Sequence, residues 1–246
     1  MSLPVFFASA PLPQVGETTE LTGPEARHAV TVKRIGPGEL IQLIDGAGRW
    51  AEIEVTETVG KDHLTGVVLT AGECERPEPY VIVVQAIPKA ERSELAVDLA
   101  TQAGADEIIP WQAARCIAKW QGAKRSKGVQ KWQSAAAAAA KQSRRVTVPE
   151  VWEPVSTAQL AQLIDGHTAV VLHEEASQPL AQLAPEFSGT VFLIVGPEGG
   201  IGDEEVALLR NAGAQPVVLG PQVLRTASAA MVALSVIGAA TSRWGG

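Results

Sequence analysis

Hydrophobic positions along the chain change character near residue 75. Before that point they come in short β-branched runs broken by glycine. Leu40-Ile41-Gln42-Leu43-Ile44 runs into the turn Asp45-Gly46-Ala47-Gly48, and Trp50-Ala51-Glu52-Ile53-Glu54-Val55 then alternates as a half-buried strand does. A further strand is expected over 63–69, after Gly60-Lys61-Asp62. Short strands with glycine turns predict a small β-barrel. Ahead of them, 24–34 predicts a short helix that turns Arg27, His28, Lys33 and Arg34 outward. Beyond residue 80, apolar runs at 80–87, 107–111, 168–173 and 189–195 alternate with helical stretches. One helix is expected from a cap at Ser93 to a stop at Gly104, another over 126–145 with the alanine run 135–140. Alternating β and α elements predict an α/β fold with a mostly parallel sheet. Between the two regions, Glu73-Cys74-Glu75-Arg76-Pro77-Glu78-Pro79 resists both helix and central strand. The chain therefore divides into an amino-terminal domain, 1–73, a linker, 74–79, and a larger domain, 80–246.

The carboxyl-terminal part carries the chemistry. Val191-Phe192-Leu193-Ile194-Val195 stops at Gly196-Pro197-Glu198-Gly199-Gly200-Ile201-Gly202, and Asp203, expected as a cap, opens a helix. A second unit follows, in which Pro216-Val217-Val218-Leu219 ends at Gly220-Pro221-Gln222-Val223-Leu224-Arg225-Thr226 before an alanine-rich helix to about Thr241. Ligands of open α/β sheets sit beyond the carboxyl ends of strands, so two successive loops outline a small-molecule pocket. Glycine lets backbone approach a ligand closely. Neither G-x-G-x-x-G nor G-x-x-x-x-G-K-[ST] occurs, and Glu198 would set an anion against a pyrophosphate. A backbone-lined pocket for an uncharged adenosine with a cationic centre suits the loop better.

Composition narrows the setting. No run approaches the roughly 18 apolar residues of a membrane span, and Met1-Ser2-Leu3-Pro4 lacks the basic start of a secretory signal, so a soluble cytoplasmic enzyme is expected. Cys74 and Cys116 have no metal-ligand spacing, and reduced thiols and no metal are expected. The net charge of −7 argues against a nucleic-acid partner until its distribution is considered. From Ile108 to Pro149 there is no acid, while Arg115, Lys119, Lys124, Arg125, Lys127, Lys131, Lys141, Arg144 and Arg145 are basic. That segregation predicts a phosphate-holding patch.

The two carboxyl-terminal loops, Gly196 to Ile201 and Leu219 to Thr226, closely resemble the paired motifs of the bacterial 16S ribosomal RNA uracil-N3 methyltransferases, the RsmE family. Upstream, His28-Ala29-Val30-Thr31-Val32-Lys33-Arg34, Trp111-Gln112-Ala113-Ala114-Arg115-Cys116 and Gln142-Ser143-Arg144-Arg145 with Val148-Pro149 are similar to further family segments. The resemblance implies a SPOUT-type mostly parallel sheet with a trefoil knot, preceded by a PUA-like RNA-binding β-barrel. It also implies S-adenosylmethionine as methyl donor, 16S ribosomal RNA or the small ribosomal subunit as partner, and a homodimer. By the same resemblance, Leu172, Gly196, Gly200, Ile201, Leu219, Gly220, Leu224 and Thr226 surround the donor. Arg225 and Glu198 are the expected catalytic residues. Arg225 would stabilise charge on uracil as N3 loses its proton, grip phosphate, or pair with Glu198. Glu198 would accept that proton or, as preferred, orient the loop and donor. Thr226 and Ser228 would touch uracil or cap the last helix, and His173 is given no proton-transfer role. RNA contacts are expected from His28, Lys33, Arg34, Arg115, Lys124, Arg125, Lys127, Lys131, Arg144 and Arg145. Two departures stand out: Ala227 and Lys141 occupy positions where many members carry glutamate. Both changes are expected to make the RNA-facing surface more basic. A SPOUT enzyme acting on another base or a ribose, or a non-catalytic assembly factor, remains an alternative.

Overall fold

A computed structural model describes residues 3–9 and 11–245, without the side chains of Ala90 and Glu91. Met1 and Ser2, part of the segment considered for a secretory signal, lie outside the described residues. The chain forms two compact units, one of Met1–Glu75 with Ala140–Val148, the other of Arg76–Ala139 with Pro149–Gly246.

The first unit is a five-stranded sheet: β1 (Val5–Phe7), β2 (Thr18–Thr22), β3 (Leu40–Ile44), β4 (Arg49–Val59) and β5 (His63–Glu73), in the order β1-β3-β4-β5-β2. Its pairs are antiparallel except β1 with β3. The period-two pattern decides which face is inside: Ala51, Ile53 and Val55 of β4 are buried with Ile41, Leu43, Leu64 and Val68. Two register shifts bend the β4–β5 ribbon, and at Gly66 a Cβ would lie 2.7 Å from the carbonyl oxygen of Glu54. The helix expected over 24–34 divides. Helix α1 (Gly23–Arg27) passes into a π-helical turn, His28–Val32, closed by Lys33 N–H to the His28 carbonyl at 2.9 Å, and Arg34 then takes a left-handed φ of 60°.

In the second unit every strand pair is parallel. The strands β6 (Tyr80–Ala86), β7 (Glu107–Trp111), β8 (Glu150–Val151), β9 (Thr168–Leu172), β10 (Thr190–Val195) and β11 (Gln215–Val217) stand in the order β11-β9-β10-β6-β7-β8. Helices α2 (Ala90–Gln102), α3 (Ala123–Gln142), α4 (Thr157–Ile164), α5 (Leu180–Leu183), α6 (Asp203–Asn211) and α7 (Thr226–Ala240) connect and follow them. Strands covered on both faces need apolar side chains, which is why β10 reads as an unbroken run over 191–195 and β6 is apolar but for Gln85. Ser93 does not cap α2. The helix begins at Ala90, and Ser93 is buried inside it, accepting the Trp132 indole N–H at 2.7 Å. The cap at Lys89 comes instead from distant Glu198, whose carboxylate accepts the Lys89 backbone N–H at 3.1 Å. Asp203 likewise is the first residue of α6, with Gly202 at the cap position. Among the described residues no helix is long and apolar enough to cross a membrane.

The carboxyl terminus is clamped by a buried ion pair. Arg243 Nη1 lies 2.7 Å from Asp106 Oδ2, with side chains 7% and 5% exposed, and the guanidinium also donates to the carbonyls of Pro79 and Gly104. Asp106 accepts the Val81 N–H as well, at 2.7 Å, so the clamp fixes the start of β6. Arg243→Met should lower unfolding stability by about 3–5 kcal/mol, because it leaves a buried carboxylate without its counterion. Urea denaturation checks this; a loss below about 1 kcal/mol would show that Asp106 is satisfied without Arg243.

Candidate active site at the carboxyl ends of the strands

The loops that leave β9, β10 and β11 surround one cavity of about 960 Å³. Leu172, Gly196, Gly200, Ile201, Leu219, Gly220, Leu224 and Thr226, expected together from sequence, all border it, as do Glu198, Arg225 and Arg115. The β10 loop is shaped by its glycines. Pro197 to Gly200 forms a turn closed by Gly200 N–H to the Pro197 carbonyl at 2.9 Å, with Gly200 at φ 70°. At Gly196 a Cβ would lie 2.6 Å from Ile201 Cγ1, so this residue must be glycine for Ile201 to pack beneath the loop. Gly220 is different. A Cβ there meets only the Gln222 side chain, at 3.9 Å, so added atoms would enter open space.

Thr226 joins the two loops. Its hydroxyl donates to the Gly196 carbonyl at 2.6 Å and accepts from Gln85 Nε2 at 3.0 Å. A hydroxyl has one proton to give, and here it is spent on the protein. Gln85, 1% exposed on β6, was not expected at the site. The signal for it was a lone amide inside Val81-Ile82-Val83-Val84-Gln85-Ala86-Ile87. Arg92, in the first turn of α2, also borders the cavity and has no motif that marks it.

The charged residues differ in how far they are engaged. Glu198 is held by the amino end of α2 through Lys89. Arg115 lies along the glycine loop, with Nη1 donating to the Gly199 carbonyl at 3.2 Å. Exposed Arg225 precedes α7, and its backbone carbonyl accepts from Ser228 and Ala229, while its guanidinium makes no ion pair among the described residues. The Ser228 hydroxyl also turns back to the Arg225 carbonyl, at 3.1 Å. His173 borders the cavity, its Nδ1 accepting the Glu175 N–H at 3.3 Å. Ala227 is buried and does not border the cavity.

On α3, Lys124, Arg125, Lys127 and Lys131 are all exposed. Arg125 pairs with Glu153 at 2.6 Å and Lys131 with Glu94 at 3.6 Å; no ion pair engages Lys124 or Lys127 among the described residues. In the first unit, Lys33, Arg34 and Arg144 are exposed and Arg145 is half-buried, with Arg144 at φ 61°. Lys141 does not add free positive charge to a surface. Its ammonium, 19% exposed, lies 2.7 Å from Glu25 and 5.1 Å from the Phe6 ring centre, so a local carboxylate neutralises it. His28 meets the edge of Phe6 at 6.0 Å. Burial, then Lys141, holds its imidazole below the usual pKa of 6.5, against the opposing pull of Glu25.

With this geometry the chain resembles known proteins over most of its length. The RNA methyltransferase domain family matches residues 75–238 and the RNA methyltransferase PUA domain family matches 21–69. The chain is 48% identical over 238 residues to ribosomal RNA small subunit methyltransferase E of Mycobacterium tuberculosis, covering 95% of this chain and 90% of that protein. Identity to the Bacillus subtilis protein of the same description is 33% over 230 residues, 89% of each. A putative methyltransferase from Legionella pneumophila, solved with the cofactor SAM, superposes with a TM-score of 0.83 at 30% identity, covering 98% of this chain and 99% of that one. Ribosomal RNA small subunit methyltransferase E from Neisseria gonorrhoeae, solved with S-adenosyl methionine, gives 0.84 at 26% identity, over 96% and 97%.

Two outcomes follow from the local geometry. Gly196→Ala should destabilise the second unit, whereas Gly220→Ala should leave thermal unfolding within about 0.5 kcal/mol of the parent; equal melting of the two variants would refute the packing argument. Second, the His28 imidazole should titrate below 6.5 by NMR, and Lys141→Met should move it upward, by removing a cation and freeing Glu25. Because the folded pKa is depressed, the unfolded chain binds the proton first, and the stability tied to neutral His28 is lost as pH falls below 6.5.

Proposed function

Because the chain belongs to the ribosomal RNA small subunit methyltransferase E family, we propose that it transfers a methyl group from S-adenosylmethionine to N3 of a uridine in the decoding region of 16S ribosomal RNA. The observation that carries this reading is the convergence of the β10 and β11 loops on one cavity with the unpaired Arg225 beside it. The cavity suits the donor in size, and its wall combines apolar faces from Leu172, Ile201, Leu219 and Leu224 with bare backbone at the glycines. When bound, the donor supplies an already activated methyl group on its sulfonium centre. The protein's own task is then to align the target base and favour its deprotonated form.

Arg225 is assigned the second task. Its exposed planar guanidinium can hold the oxygens on which uracil's charge collects as N3 gives up its proton. Glu198, engaged by α2, orients the β10 loop. Thr226 contributes by fixing loop to loop, with Gly196, Gly200 and Gly220 giving the donor backbone to rest on. Lys124 and Lys127, together with Arg125 and Lys131 exchanging out of their exposed ion pairs, grip RNA phosphates. Lys33, Arg34, Arg144 and Arg145 do the same on the amino-terminal unit, where His28 stacks on RNA or hydrogen-bonds to it, the backbones of Arg34 and Arg144 being held in a conformation that local sequence disfavours. We further propose a homodimer, supported by exposed Val223 and Met231, and action in the cytoplasm on the small ribosomal subunit or its RNA. The division into an RNA-binding domain, a linker at 74–79 and a methyltransferase domain with the family's trefoil knot belongs to the same reading.

Ala227, where many members carry glutamate, is buried and does not border the cavity, although Thr226 and Ala229 do. Labelled-methyl transfer to ribosomal RNA from cells lacking the protein, followed by mapping of the modified nucleotide, tests the reading. Labelling at another base or a ribose would transfer the assignment to that target, and no labelling would remove it. Gly220→Val should weaken donor binding by about tenfold or more in calorimetry while the protein stays folded. Arg225→Lys should slow single-turnover methylation far more than it weakens donor binding, with partial rescue at higher pH. A parental rate at saturating donor and RNA would leave Arg225 a binding residue. Neutralising Lys124 and Lys127 should weaken RNA binding and flatten its salt dependence by about two phosphate contacts, leaving donor affinity unchanged.

A further inference from the structure

Glu205 is a charged residue in a place that favours apolar ones. It is the third residue of α6, 9% exposed, and its Oε1 accepts the Ala114 backbone N–H at 3.0 Å and the Thr157 hydroxyl at 2.6 Å. Thr157 in turn accepts the Trp111 indole N–H at 3.1 Å. Glu205 Oε2 is buried without a hydrogen-bond partner. Burying a carboxylate with one oxygen unsatisfied works against stability, and only the two bonds to Oε1 offset it.

What Glu205 holds leads to the cavity. Ala114 lies in the segment that leaves β7, and the next residue is Arg115. From there Arg115 donates to the Gly199 carbonyl, and its side chain passes 3.4 Å from where Gly199 would carry a Cβ and 3.8 Å from where Gly202 would. Buried Cys116 closes the same turn, its N–H donating to the Ala113 carbonyl at 3.1 Å. The 196–202 loop is thus connected to residues 114 and 115 twice: through Arg115 to Gly199, and through the helix that follows the loop, by Glu205 to Ala114.

We infer that Glu205 is a positioning residue for the cavity: through Ala114 it fixes Arg115 along the β10 glycine loop, and so sets the shape of the wall that receives the methyl donor. This rests on the proposed donor site. One oxygen carries the arrangement, because Thr157 uses its only proton on Glu205 while accepting from Trp111. A glutamine can present the same oxygen.

The test uses the full chain, with S-adenosylmethionine affinity measured by calorimetry well below the melting temperature of each variant. Glu205→Leu and Arg115→Ala should each weaken donor binding about tenfold, and the double variant should be no weaker than the worse single one, since both remove the same brace. Glu205→Gln should stay within about threefold of the parent. Parental affinity in a folded Glu205→Leu protein would reduce Glu205 to a structural residue, and a multiplicative, hundredfold loss in the double variant would show two independent contributions; either overturns the proposal. Should Glu205→Leu fail to fold, Thr157→Val removes one of the two donors at constant shape. It must weaken donor binding non-additively with Arg115→Ala, and parental affinity there overturns the proposal too. A parent chain that binds no donor would instead sink the donor site itself.

Discussion

The Thr226 hydroxyl, donating to Gly196 and accepting from Gln85, is the contact on which the geometry of the cavity depends. It joins the end of β10, the beginning of α7 and the interior of β6 at one buried point. Each loop alone is a short glycine-containing connection with several accessible conformations, and a pocket exists only when both are held together. The low dielectric around a residue 5% exposed makes the Thr226 bond to Gly196 expensive to lose.

From this point the charges arrange themselves by accessibility. Those that shape the protein are engaged: Glu198 with the amino end of α2, Glu205 with Ala114 and Thr157, Arg243 with Asp106, and Lys141 with Glu25. Arg225, Lys124 and Lys127 are exposed and make no ion pair among the described residues. A charge already neutralised by the protein has little left to offer RNA, whereas an exposed, unpaired one can exchange water and counterions for phosphate. Within the acid-free stretch from Ile108 to Pro149 the basic residues are engaged to different degrees. Arg115 braces a loop, Lys141 is neutralised within the first unit, and the start of α3 remains solvated.

The chain by itself determined the period-two strands of the first unit, the continuous apolar strands of the second and the two loops at the carboxyl ends of β10 and β11. Each is written locally: side-chain alternation gives a half-buried sheet, uninterrupted Val and Ile give strands covered on both faces, and glycine beside proline ends a strand. The residues that border the cavity were legible for the same reason, since they are contiguous with those strand ends. Tertiary structure decided whatever depends on partners far away in sequence. Ser93 reads as a cap, but the pocket around Trp132 claims it, and the cap of α2 comes from Glu198, 109 residues from Lys89. Lys141 reads as free charge, but Glu25, 116 residues distant, neutralises it. Gln85 and Glu205 look like isolated polar residues until folding brings Thr226 and Ala114 to them. A buried hydrogen bond needs both of its groups in one place, and the local pattern around either one carries no record of the other.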